Sequence, residues 1–151
     1  MPELYQLHPV SVHFPIALLI LGFAVQALSQ FLKGENAAWL AKAAPWFLWI
    51  GTLSAIAALG LGLLAEKLAP HVPAAWETVE EHEELAYWTA GLFSALSICR
   101  IAIKTRWEGL EKKWKLAFLT CGAIALGVMI ATAQHGGELV YKFGMGIKPV
   151  Q

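Results

Sequence analysis

Four long stretches without a charged residue divide the chain. They cover residues 4–32, 43–65, 85–99 and 116–137. A bilayer core about 30 Å thick is crossed by roughly 20 helical residues. The pattern therefore predicts four transmembrane helices, at about residues 13–32, 44–65, 84–103 and 115–134.

Short loops between these spans predict a simple architecture. Helices that follow one another through short connections pack as antiparallel neighbours. We expect an all-α fold, a single four-helix bundle of up-down-up-down topology that covers residues 1–151. Only Glu3 is charged before the first span, so this span does not look like a cleaved signal peptide, which would carry a basic start.

Proline and glycine suggest where the helices begin and end. Pro15 favours a start of the first helix between Ser11 and Phe14, and Pro45 favours a first-turn position in the second, since proline is tolerated in a first helical turn. Gly136-Gly137 predicts the end of the fourth helix.

The composition agrees with a membrane protein. Of 151 residues, 58% are hydrophobic and 15% are charged, whereas soluble domains have roughly 45–50% apolar and about 25% charged residues. This excludes a disordered chain, and the net charge of zero gives no basic surface for nucleic acid. The expected partner is the lipid bilayer.

The charges are distributed unequally between the two sides. The predicted loops 1–2 and 3–4 and their flanks carry eight basic and three acidic residues, and the other side carries three basic and eight acidic residues. Basic loops stay in the cytoplasm. We therefore expect an integral protein of a bacterial inner membrane with both termini on the periplasmic side.

Small residues and cysteines indicate packing positions. Ala123, Gly127 and Ala131 recur every four residues on the fourth span, and Ala58 and Gly62 do so on the second. Such pairs let helix backbones approach closely in lipid, and the oligomeric state, a homo-oligomer included, is left open. The cysteines at positions 99 and 121 are expected to act as small apolar packing residues.

The histidines carry the candidate chemistry. His8, His13, His71, His82 and His135 all lie towards the predicted outward end of the bundle. The first and third helices are diagonal neighbours, so His13 and His82 are predicted to meet across the bundle axis. Two imidazoles from opposite sides suit the axial positions of a haem iron. His8 and His135 are expected to line the same site or to ligate a second haem.

Structural roles remain open for the same residues. His8 and His13 could form hydrogen bonds at the lipid interface, His82 could belong to a solvated acidic helix, and His71 reads as a loop residue. No His-Glu-x-x-His or Cys-x-x-Cys motif is present. No nucleophile elbow or triad spacing is present either, so the sequence does not favour an enzyme.

Two segments resemble a known family. The opening segment LHPVSVHFPI (residues 7–16) and the closing segment GGELVY (residues 136–141), followed by Gly144 and Gly146, are similar to motifs of the domain-of-unknown-function 2231 family of small predicted membrane proteins. The resemblance covers essentially the whole chain and implies a His at the start of the third span, where His82 lies. Some relatives continue into cytochrome c-type domains, which implies a redox setting and a cytochrome c-type or other redox partner.

The closing segment allows two structural interpretations. The paired glycines are expected to reverse the chain, so that Leu139, Val140 and Tyr141 pack back onto the outward face. The segment would then be a lid over the histidines or a plain structural cap.

Three functions follow as hypotheses. The first is electron transfer through haem b, held by His13 and His82 with His8 and His135 nearby. The second is handling of protons or of a divalent ion such as Zn or Cu by the same His and Glu side chains. The third is a structural or accessory subunit without a cofactor.

Overall fold

Five α-helices and two short 3₁₀ turns make up the computed structural model, which describes residues 3–146. The helices are α1 (Leu7–Ser11), α2 (His13–Leu28), α3 (Glu35–Leu68), α4 (Trp76–Ala102) and α5 (Lys112–Tyr141), and the 3₁₀ turns are Leu4–Gln6 and Pro73–Ala75. Four segments are long and apolar enough to cross a bilayer: Leu4–Phe31, Glu35–Leu68, Pro73–Ala102 and Lys112–Tyr141. The all-helical four-span prediction is confirmed, and each span is longer than expected.

The first span begins earlier than predicted and is interrupted once. Pro15 has no N–H to donate to the carbonyl of Ser11, so the regular helix breaks at Val12 between α1 and α2. The break is local, because Val12 keeps right-handed helical angles and its N–H still donates to the carbonyl of His8. As a result His8 lies within a helical turn and not in a loop before the helix.

Two other boundary predictions were wrong for related reasons. Pro45 lies inside α3, ten residues beyond its start, and is buried. Gly136 and Gly137 lie inside α5, which continues to Tyr141. Proline and glycine interrupt transmembrane helices less than soluble ones, because neighbouring helices supply the missing contacts.

Antiparallel contacts assemble the bundle. Gly22 lies against Phe47 and Gly51 lies against Leu19, which sets α2 antiparallel to α3. The core cluster consists of Leu19 from α2, Phe93 from α4, and Ala125 and Met129 from α5. Between α3 and α4 the Thr52 and Ser97 hydroxyls are 2.8 Å apart, a polar contact within an apolar interior.

Some residues predicted to pack face outward instead. Ala123 and Gly127 are exposed, and a Cβ at Gly127 would meet no atom within 4 Å. Cys99 and Cys121 are exposed as well. The residues of α5 that face the other helices are Gly122, Ala125 and Met129. The predicted packing repeat through Ala123 and Gly127 is therefore not the buried face of this helix.

The close approach of α2 to α3 predicts opposite effects for one substitution at two glycines. A Cβ at Gly22 would lie 2.9 Å from the Cβ of Phe47, whereas a Cβ at Gly60 would meet nothing within 4 Å. We expect Gly22→Ala to lower the free energy of unfolding by about 1–3 kcal/mol through overpacking. Gly60→Ala should leave stability unchanged or raise it by about 0.5–1 kcal/mol. Thermal unfolding in detergent measures both, and equal midpoints for the two variants would contradict this packing.

Candidate functional site

His8 is anchored to the neighbouring helix through its ring. Its Nδ1 lies 2.9 Å from the carbonyl oxygen of Ala58 on α3, and the side chain is half-buried. A carbonyl oxygen can only accept, so Nδ1 carries the hydrogen and donates it. The Nε2 atom then keeps its lone pair, which is the arrangement that a metal-ligating or proton-accepting imidazole needs.

His82 repeats this arrangement in the other half of the bundle. Its Nδ1 lies 3.0 Å from the carbonyl oxygen of Thr132 on α5, and the side chain is also half-buried. The Thr132 hydroxyl lies 2.9 Å from the carbonyl oxygen of Val128, 3.1 Å from that of Leu85 on α4, and 2.8 Å from the hydroxyl of Thr89. These contacts join α4 to α5 directly beside the imidazole and hold the accepting carbonyl in place.

A glycine makes room for each ring. Gly62 follows Ala58 by four residues, and a Cβ on it would lie 2.9 Å from Cε1 of His8. Gly136 follows Thr132 by four residues, and a Cβ on it would lie 2.9 Å from Cε1 of His82. The sequence predicts backbone packing at Ala58 and Gly62, whereas in the structure both contact an imidazole. Gly136 likewise makes room for a ring and does not end its helix. We call Gly62 and Gly136 the clearance glycines.

The two anchored rings meet. The His8 and His82 ring centroids are 6.1 Å apart, with the ring planes inclined by 72°. We call His8 and His82 the histidine pair. It joins the first span to the third, the diagonal relation predicted for His13 and His82, but with His8 in place of His13.

The histidine pair borders a cavity of about 440 Å³. All five helices line it, and its walls are predominantly apolar, with Ile16, Ala55, Leu59 and Met129 among them. Ligand pockets in proteins range over about 300–1,000 Å³ and combine apolar walls with a few polar groups. The cavity therefore has the size and character of a small-molecule site.

The other three histidines occupy different places. His13 borders the cavity but is exposed, and its Nδ1 is 3.3 Å from the carbonyl of Val10. The Nδ1 of His135 is 2.9 Å from the carbonyl of Ala131 in its own helix, and its Nε2 is 3.3 Å from a carboxylate oxygen of Glu81. His71 is exposed and packs beside Trp76. Within residues 3–146 the ring contact between histidines is that of His8 with His82.

The chain after α5 closes one side of the cavity. Leu139 to Tyr141 continue the helix, contrary to the predicted reversal at Gly136-Gly137. The reversal occurs at Gly144, whose φ of 66° favours glycine. A Cβ at Gly146 would lie 2.7 Å from Pro9 Cγ, and Met145 and Gly146 line the cavity. The tail therefore contacts α1 and lines one side of the cavity.

A metal centre of the zinc type has no ligand set in the described part of the chain. Between residues 3 and 146 no group of three or more His, Cys, Asp or Glu side chains is placed to hold an ion. Structural and catalytic zinc sites need at least three protein ligands. The histidine pair alone suits an ion whose remaining ligands come from a cofactor.

The sequence left the anchors unidentified. The carbonyls of Ala58 and Thr132 belong to the backbone, so no side-chain motif reveals them. The signal that was available is the small residue followed four positions later by glycine, Ala58 with Gly62 and Thr132 with Gly136. On α3 this spacing predicts close helix packing, whereas in the structure Gly62 makes room for an imidazole.

The anchored geometry predicts the hydrogen position on both rings. Nitrogen NMR of histidine-labelled protein above the imidazole pKa should show the Nδ1–H tautomer for His8 and His82. Gly136→Ala should displace the His82 ring from Thr132 and weaken that signal, because the added methyl group would overlap Cε1. Gly127→Ala, the same change in open space on the same helix, should leave the spectrum unchanged. A neutral Nε2–H form at either ring of the wild-type protein would contradict the anchoring.

Comparison with known proteins gives one match. The family model of the domain of unknown function 2231, described as a predicted membrane protein, matches residues 5–149. No curated protein and no solved structure matches the chain. The match includes both histidines of the pair, the two clearance glycines and the reversal at Gly144. The chain therefore belongs to the domain-of-unknown-function 2231 family of predicted membrane proteins.

Proposed function

We propose that this protein is a membrane electron-transfer protein that binds haem b between His8 and His82. The proposal rests on the histidine pair. Each imidazole donates its Nδ1–H to a backbone carbonyl, and the two ring centroids lie 6.1 Å apart beside an apolar cavity. Bound haem would supply one-electron chemistry at its iron. The protein would supply the axial ligands, their orientation and a dry surrounding.

The separation of the rings supports axial ligation. Nitrogen ligands lie about 2.0–2.1 Å from a bound metal ion, and the ring centre lies about 1 Å further, so two imidazoles on opposite sides of one ion have centroids about 6 Å apart. The observed distance is 6.1 Å. His8 and His82 would hold the iron, and they come from the first and third spans.

The hydrogen bonds of the rings support the same role. Imidazoles that ligate a metal usually donate their other N–H to a carbonyl or carboxylate, which fixes the ring and raises its basicity. His8 and His82 both do so, to Ala58 and Thr132. Anchoring before the cofactor binds reduces the conformational entropy that binding would otherwise cost.

The arrangement favours one haem and changes the expected ligands. Within residues 3–146 the structure brings one pair of histidine rings together. We therefore assign the axial role expected for His13 to His8, and we place His13 at the mouth of the cavity. His135 faces Glu81 and is better suited to the surface around the site than to a second haem.

The distribution of basic loops supports an orientation for this site. The end of the bundle that holds the histidine pair is the acidic end, and the opposite end carries the basic loop of residues 103–111 and its flanks. Since basic loops remain in the cytoplasm, we place the site at the periplasmic face of a bacterial inner membrane. There a cytochrome c-type or other soluble redox protein would have access to it.

An absorption spectrum tests the haem assignment. Protein purified in mild detergent from haem-sufficient cells should show a Soret band that shifts on reduction, with about one haem per chain. His8→Ala and His82→Ala should each abolish at least nine-tenths of the haem content, since each removes one axial ligand.

The controls are the same substitution at histidines outside the pair. His13→Ala and His71→Ala should keep the haem content within about twofold of wild type, because neither ring is anchored in the cavity. Circular dichroism of each variant reports whether the helices remain. A colourless wild-type protein would refute the assignment and leave the two rings as an aromatic contact between spans in a scaffold protein.

Site-directed labelling tests the orientation. In a chain whose exposed Cys99 and Cys121 are replaced by Ala, single cysteines are introduced as His71→Cys and Arg106→Cys, both at exposed loop positions. A membrane-impermeant maleimide added to intact spheroplasts should label position 71 and not position 106. Labelling of position 106 alone would reverse the proposed orientation.

A further inference from the structure

The end of the bundle opposite the histidine pair contains a buried charge. Arg100 is only 5% exposed, one of the few buried polar side chains in the described chain. It lies 18 residues after His82 on α4, which is roughly 27 Å along a helix. The proposed haem site therefore makes no use of it.

No acidic partner compensates this charge. No Glu between residues 3 and 146 forms an ion pair with Arg100, and its Nε is buried without a hydrogen-bond partner. An arginine remains protonated in proteins, so loss of its proton cannot remove the charge. Buried charges in membrane spans are normally paired or line a polar pathway.

One side of the guanidinium is covered by an aromatic ring. Its central carbon lies 4.2 Å from the ring centroid of Trp107, which is itself buried and packs against Phe118. This cation–π contact holds the guanidinium in place. It leaves the Nε–H, which lies in the guanidinium plane, without an acceptor.

A small cavity lies next to Arg100 among all four spans. Its volume is about 30 Å³, and its lining includes Gln26 of α2, Pro45 of α3 and Phe118 of α5. A single water molecule needs a cavity of at least about 10–15 Å³ by this measure, so the cavity suits a group of one or two heavy atoms. A lipid phosphate is too large for this volume.

From the orphaned Nε, the uncompensated charge and the adjacent cavity, we infer that Arg100 holds a halide-sized monovalent anion between the four spans, with chloride as the chemical class. The anion would accept charge-assisted hydrogen bonds from the guanidinium and neutralise its charge in a low-dielectric surrounding. Gln26 is 6% exposed and lines the same cavity from the side of α2, and its Nε2 donates to the Ser29 hydroxyl at 3.3 Å.

Thermal unfolding in matched salts tests the site. Detergent-purified protein is titrated with sodium chloride against sodium gluconate at constant ionic strength. Chloride should raise the midpoint saturably, by about 3–6 °C at tenfold the dissociation constant. Arg100→Gln should abolish the difference between the salts, and Arg106→Gln, the loss of an exposed arginine in the same region, should keep it.

A second measurement on the wild-type fold does not depend on the stability of the Arg100 variant. Iodide quenches tryptophan fluorescence on contact, and Trp107 lies next to the proposed site. The difference between wild type and Trp107→Phe should show quenching that saturates with iodide and is displaced by chloride. Equal midpoints in chloride and gluconate together with unsaturable quenching would overturn the proposal. Stabilisation by phosphatidylglycerol alone, without any chloride effect, would overturn it as well and indicate a lipid headgroup.

Discussion

Every polar group within a bilayer has to find its partner inside the protein, because lipid offers none. The two central imidazoles meet this constraint by donating to backbone carbonyls of neighbouring helices. Each bond fixes the tautomer and the direction of a ring and at the same time joins two helices. The same contacts therefore support the fold and leave two Nε2 lone pairs available for a ligand.

The two halves of the bundle solve this problem in the same way. His8 lies on the Ala58–Gly62 turn of α3, and His82 lies on the Thr132–Gly136 turn of α5. In both cases the ring donates to one carbonyl and rests on the bare Cα of the glycine four residues later. A glycine inside a helix costs about 0.5–1 kcal/mol relative to alanine, so its presence at both turns is consistent with a requirement for space. This repeated arrangement of a carbonyl acceptor and a glycine four residues later explains how four helices with few polar residues bring two rings together.

The two ends of the molecule differ in the chemistry they can hold. One end has two anchored imidazoles beside a cavity of about 440 Å³, and the other has one permanent cation beside a cavity of about 30 Å³. Between them lie Leu19, Phe93 and the rest of the apolar core. This core separates the sites by most of the membrane thickness. A redox group at the first site and an anion at the second would thus act independently, each in its own low-dielectric surrounding.

The sequence by itself determined the membrane location and the number of spans, because long charge-free stretches have few alternatives to a transmembrane helix. Its opening and closing motifs indicated the family. It also identified the histidines as the candidate chemistry and a diagonal pair as its geometry. Only the tertiary structure decided that His8 and not His13 faces His82, since that choice depends on the early start of α1 and the break at Val12. Likewise, Gly136 had the signature of a helix end and proved to be a contact for an imidazole. Such contacts join residues 50 positions apart through backbone carbonyls, and a local sequence pattern carries no information on partners at that distance.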